Sequence, residues 1–290
     1  MRFKSFKKLF LIMNGKNNFM DVKDPGVVAI TGASSGIGDC FARILASQGF
    51  DLVITARRKE RLESLASELK QKYGINVETI PGDLSKVEFM KEFGSYIESI
   101  GNLDVLVNNA GFSTAEDFIS KNSDIDVFMR MINLHCNATA YLMHAALIPM
   151  RENDRGVIFN ISSTASLMLH GSREPMYHST KAFISAFTEM VQHKVSYIKS
   201  NVKLKSICPG ITHSEIWGET GLAEPNKFGG PMSPEEVATI SLDSYQNNDI
   251  IVITGDHNIE EIVEWKEITY KKHGRYFSKN FTKSGLYKKL

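Results

Sequence analysis

Short apolar runs alternate with helix-length amphipathic segments from about residue 27 to 253, a pattern that few folds satisfy. The candidate strands are Val27–Thr31, Leu52–Thr55, Asn76–Ile80, Val105–Val107, Val157–Ile161, Lys203–Ile207 and Ile250–Ile253. Most are nearly continuous in Val, Ile and Leu, as strands covered on both faces require. Between them lie helical stretches such as Lys59–Lys70, with Leu62, Leu65 and Leu69 on one side, and the long Ile125–Met150. Short connections and right-handed crossovers then predict an α/β fold, a doubly wound parallel sheet with helices on both faces. No repeat and no second core interrupts the pattern. The expected organisation is one domain over residues 25–255, an extension over 1–24 and a tail over 256–290.

Charge and composition narrow the function classes. The chain carries 34 Lys and Arg against 33 Asp and Glu, so bulk attraction to nucleic acid is not expected. No apolar run approaches the roughly 20 residues of a membrane-spanning helix. Cys40, Cys136 and Cys208 are widely spaced with no CxxC pair, which suits reduced thiols in a cytoplasmic protein better than disulfides or a metal site.

The first strand runs into Thr31-Gly32-Ala33-Ser34-Ser35-Gly36-Ile37-Gly38, followed by a helical pattern to about Gly49. Glycine allows a tight turn and close backbone approach, and a helix N-terminus presents free N–H groups to a pyrophosphate. Strand, glycine turn and helix in that order point to a dinucleotide, with Gly32, Ser34, Ser35, Gly36, Ile37 and Gly38 in contact with it. The second strand ends in Ala56-Arg57-Arg58, where an NAD site usually places a carboxylate. Arg57 and Arg58 suit the 2′-phosphate of NADP(H) instead; the alternative is that they only begin a solvated helix.

Tyr177 and Lys181 stand four residues apart, so a helix puts them on one face. A phenol titrates near 10 and is a poor acid or base at pH 7. A neighbouring ammonium stabilises the phenolate and is expected to bring Tyr177 into working range. Lys181 is also expected to bond the nicotinamide ribose.

Five segments appear in order: the glycine turn, Asn108-Asn109-Ala110-Gly111, Asn160-Ile161-Ser162-Ser163, Tyr177-His178-Ser179-Thr180-Lys181 and Pro209-Gly210. Together they resemble the short-chain dehydrogenase/reductase family in its single-domain form, over roughly residues 25–255. The resemblance implies a seven-stranded parallel sheet of Rossmann type and hydride transfer between a nicotinamide and a carbonyl or alcohol. It implies Ser163 as the partner of the substrate oxygen. Ser163 precedes Tyr177 by 14 residues where the family more often has 13, which leaves Thr164 and Ser162 as alternatives. Asn133 matches the helix asparagine that holds a water leading to the lysine. Asp83 and Leu84 fall beside the adenine, Asn108 and Ala110 near its ribose. Pro209, Gly210, Ile211 and Thr212 approach the nicotinamide. The family commonly forms homodimers or homotetramers.

Residues 211–232 occupy the place of a lid, with Ile216, Trp217, Leu222, Phe228 and Met232. With Phe112, Leu167, Met168 and Leu169 they predict a largely apolar pocket and a lipophilic carbonyl or secondary-alcohol substrate. The other reading is that these side chains pack the lid onto the body. The first 20 residues hold five basic and no acidic side chains; residues 256–290 hold eight basic against five acidic. Phe3, Phe6, Phe10 and Met13 at helical spacing, and aromatic residues in the basic tail, suit peripheral contact with an anionic membrane. The alternatives are a start at Met20 and a tail that wraps the subunit. A non-catalytic NADP(H)-binding regulatory or scaffold protein is the rival function.

Overall fold

Seven apolar runs become the strands of one sheet, in a computed structural model that describes residues 19–20, 24–167, 174–213 and 231–255. They are β1 (Val27–Thr31), β2 (Asp51–Thr55), β3 (Val77–Thr79), β4 (Leu103–Asn108), β5 (Val157–Ile161), β6 (Lys203–Pro209) and β7 (Ile251–Thr254). The order is β3-β2-β1-β4-β5-β6-β7 and every pairing is parallel. The winding therefore reverses between β1 and β4, which opens a crevice at their C-terminal ends. Val28 sits opposite both Leu52 and Val105, so β1 is the centre from which the sheet grows in both directions.

Alternate strand residues feed two cores, because successive side chains leave opposite faces of a strand. On one face Val28, Ile30, Val107 and Phe159 pack with residues of helices α1 (Gly36–Ala46) and α2 (Lys59–Tyr73). On the other, Ala29, Leu106 and Ile158 meet α3 (Val87–Glu98), α5 (Thr139–Glu152) and α6 (Pro175–Tyr197). Each fully buried Leu or Phe contributes about 1.5–3 kcal/mol. Helix α2 runs one turn beyond the expected Lys70, to Gly74, whose φ of 72° ends it. The helix expected over 125–150 is not continuous. It divides into α4 (Ile125–Ile132), a π-helical stretch over Asn133–Ala138 and α5. Helix α7 (Pro234–Asp243) begins with a capping box between Ser233 and Glu236 and covers the first face beside β7.

Phe19, assigned by sequence to the extension, is a core residue. It is 5% exposed and packs on Tyr245, Phe159 and Phe50, with ring centroids 5.0, 5.9 and 6.5 Å away. Gln48 accepts from its N–H at 2.8 Å and Gln246 donates to its carbonyl at 3.2 Å. Phe19→Ala is expected to destabilise the protein by about 3–5 kcal/mol in denaturant unfolding. A loss below about 1 kcal/mol would show that the ring's site collapses without it.

Residues 1–18, 21–23, 168–173, 214–230 and 256–290 lie outside the described residues, and with them Met168, Leu169, Ile216, Trp217, Leu222, Phe228 and the basic ends. Among the described residues no helix is long and apolar enough to cross a membrane, and no cluster of three metal-ligating side chains occurs.

Candidate active site

The first strand leaves the sheet through Gly32, whose φ is 68°. A Cβ at Gly32 would stand 2.8 Å from the Asn109 Nδ2, and one at Gly38 would stand 2.5 Å from the Gly32 carbonyl oxygen. Only glycine lets α1, the turn and the end of β4 close on one another this tightly. No side chain caps the α1 N-terminus at Ser35, so its N–H groups are open to an anion.

The turn, with Gly32, Ser34, Ser35, Gly36 and Ile37, forms one wall of a cavity of about 420 Å³. Arg57 and Arg58 after β2, Asp83 and Leu84 after β3, and Ala110 after β4 complete the side expected to hold a dinucleotide. Arg58 folds back over the turn: its Nε and Nη2 lie 3.2 and 3.1 Å from Ser34 Oγ, and Nη2 lies 2.6 Å from Ser35 Oγ. Arg57 is exposed. Asp83 Oδ1 accepts from the Ser85 N–H at 2.9 Å and its hydroxyl at 2.7 Å, which steadies the loop after β3. Open helix N–H groups, a guanidinium above them and glycine where side chains would clash all fit a dinucleotide phosphate.

Asn108 stands elsewhere. As the last residue of β4 it points into the sheet layer, where its Nδ2 donates to Asn160 Oδ1 at 2.9 Å. The residue lining the cavity is Asn109, whose Nδ2 donates to the carbonyls of Thr31 and Gly32 at 3.0 and 3.2 Å. Thr31 Oγ1 accepts from the Asn109 and Ala110 N–H groups, both at 2.9 Å, and so ties β1 to this loop. Beyond β6, the Gly210 N–H donates to the Thr254 carbonyl at 3.0 Å and Thr212 Oγ1 to that of Gly210 at 3.1 Å. Ile211 accepts from Met232 across the base of the expected lid. Pro209 ends β6, and none of residues 209–212 lines the cavity.

Tyr177 and Lys181 share one face of α6, with the Lys181 Nζ 5.6 Å from the Tyr177 ring centre. The ammonium donates to the Ile161 carbonyl at 2.9 Å, which pins it between α6 and β5. The Ser163 side chain acts on the Tyr177 phenol so as to favour its ionised form, and its Oγ accepts from the Ala165 N–H at 3.1 Å. Ser162 Oγ instead donates to the Lys181 carbonyl at 2.8 Å, inside a buried cluster of hydroxyls around Ser185. Thr164 opens a short 3₁₀ turn. Of the three hydroxyls that spacing left open, Ser163 is the one that acts on the Tyr177 phenol.

The electrostatics differ from the sequence expectation. Burial pushes the Tyr177 phenol up to about 12, against the lowering effect of the Ser163 bond and with a further push from the Glu174 carboxylate. Burial brings Lys181 down to about 8, opposed by the nearby Cys208 and Cys136. Desolvation disfavours both charged forms, so the lysine alone does not bring the phenol to neutrality. Glu174 also accepts from Ser113 Oγ at 2.5 Å, so the wall beside Tyr177 is not purely apolar. Leu167 is buried. Asn133 Oδ1 accepts from Asn137 at 2.8 Å, one turn along, and opens the π-helical stretch beside the site. His178 Nδ1 bonds the Glu174 carbonyl, and the His213 backbone N–H donates to the carbonyl of Met232. The histidine that reaches the site is His135, which no motif singled out.

The family model described as short chain dehydrogenase matches residues 26–225. An uncharacterized oxidoreductase of Staphylococcus aureus strain USA300 is 30% identical over 222 residues, covering 76% of this chain and 90% of the relative. A short-chain dehydrogenase from Sphingobium yanoikuyae, solved in complex with NADPH, superposes with a TM-score of 0.78 at 27% identity, covering 87% of this chain and 95% of the other. A Burkholderia phymatum member of the same fold, solved with NAD, has a TM-score of 0.73 at 20% identity over 86% of this chain and 95% of its own. The chain belongs to the short-chain dehydrogenase/reductase family of oxidoreductases, which work with a nicotinamide dinucleotide.

Proposed function

We propose that the protein is an NADP(H)-dependent reductase of ketones or aldehydes, or dehydrogenase of secondary alcohols, with Tyr177 as the acid and base. The observation that carries this reading is the convergence of Ser163, Tyr177 and Lys181 at the C-terminal end of β5. The cofactor supplies or accepts the hydride. Ser163 holds the substrate oxygen and disperses its charge as the carbonyl becomes an alkoxide. Tyr177, protonated at neutral pH because its pKa lies near 12, delivers the proton from its hydroxyl. Lys181, charged at neutral pH with a pKa near 8, steadies the phenolate that remains. Asn133, at the head of the π-helical stretch, holds the water that leads to the lysine.

The preference for NADP(H) rests on Arg58 held above Ser34 and Ser35, where a 2′-phosphate needs a planar donor set, and on the lack of a carboxylate at Ala56. Phe112 brings an aromatic face to the site while Ser113 and Glu174 bring polar groups. A mainly lipophilic substrate with a polar substituent suits that wall. The test is a panel of such ketones and aldehydes followed by NADPH absorbance. Tight NADPH binding without turnover across the panel would favour a non-catalytic binding protein.

Ile125, Met129 and Tyr141 along α4 and α5, and Phe183, Met190 and Tyr197 along α6, leave large apolar side chains exposed. Pairing of these helices between two copies covers them, so sedimentation is expected to show a dimer or tetramer; a monomer at micromolar concentration overturns the pairing.

A further inference from the structure

His135 is fully buried in the π-helical stretch and connects three segments that meet at Tyr177. Its Nε2 accepts from the Phe112 N–H at 3.1 Å, so the ring proton sits on Nδ1. Nδ1 lies 2.9 Å from Thr180 Oγ1, to which it donates. Thr180 passes its own hydrogen to the Tyr177 carbonyl at 3.0 Å. Every donor and acceptor in this chain is thereby assigned, from the loop after β4, through the π-helical stretch, to the first turn of α6. The ring also lies edge-on to Tyr177, with centroids 6.0 Å apart. Packing is equally tight on the other side. A Cβ at Gly111 would stand 2.9 Å from the His135 Nε2 and 3.5 Å from the Lys181 Nζ. Imidazole and ammonium thus flank the same glycine, and the loop cannot shift without moving one of them.

We propose that His135 is a positioning residue, a strut that holds the loop after β4 and the first turn of α6 at the separation where Tyr177 and Lys181 act together. The inference rests on the catalytic reading of Tyr177 and Lys181. Burial, and after it the Lys181 ammonium, hold the imidazole well below its usual pKa, so it stays neutral and its two bonds keep their direction. A proton on Nε2 would break the Phe112 bond and set two cations beside Gly111.

His135→Phe retains a buried ring and removes both hydrogen bonds. It is expected to lower kcat about tenfold, with the carbonyl KM and the NADPH Kd changing less than about threefold. The alkaline limb that Lys181 imposes on the pH–rate profile is expected to move with it. His135→Gln, whose amide oxygen can take the Phe112 N–H, is expected to recover part of the loss. Thr180→Val is nearly isosteric, cuts the same chain, and gives the same direction of change if the phenylalanine variant fails to fold. Variants that melt earlier but keep wild-type kcat and pH limb overturn the inference. If the wild-type protein reduces no carbonyl, the catalytic reading falls by itself. The strut is then judged by alkaline titration of the Tyr177 phenol, identified by difference from Tyr177→Phe. A midpoint displaced in His135→Phe supports it, and an unchanged midpoint overturns it.

Discussion

Tyr177→Phe is expected to lower kcat for carbonyl reduction by about 10²–10⁴-fold, the range that a positioned acid supplies. NADPH binding is expected to change less than about threefold, because the glycine turn and Arg58 that would carry it lie on other elements than the helix of Tyr177. The pH dependence gives a second reading of the same group. The phenol is protonated up to about 12, so it is ready to donate across the neutral range. Lys181 loses its charge as pH rises through about 8, and with it goes the cation that steadies the product phenolate. The rate of reduction should therefore fall above that pH, and the limb should vanish in Lys181→Met together with most of the activity. A Tyr177→Phe enzyme at wild-type speed would remove the phenol from the mechanism.

Arg58→Ala should weaken NADPH about 10–100-fold, the worth of a charge-assisted hydrogen bond of roughly 1.5–3 kcal/mol, and leave NADH within about threefold. Arg57→Ala should act in the same direction but less, since Arg57 is exposed and Arg58 is held by two hydroxyls over the turn. Fluorescence titration with both cofactors measures the ratio. Equal losses for NADPH and NADH would place Arg58 on the pyrophosphate instead; no loss for either would leave both arginines as surface charges.

Much of this was visible in the residue order, because buried parallel strands are written in Val, Ile and Leu and the glycine turn needs its glycines. The parts that escaped have physical reasons. Asn108 and Asn109 are adjacent, and the pleat alone decides which side chain faces the cavity and which bonds Asn160. The π-helical stretch over 133–138 leaves the apolar spacing of its flanks intact, so periodicity reads straight through it. His135 is one of eight histidines and acquires its partners only when Phe112 and Thr180 are folded against it. The direction of the Tyr177 shift was missed because a sequence displays charges four residues apart but not the desolvation that outweighs them.

The aromatic pin at Phe19 binds groups that precede β2 and β7, at the opposite rim of the sheet from the glycine turn and Tyr177. A change at that ring therefore acts at the far pole from the chemistry, and it is expected to show in unfolding well before it shows in turnover.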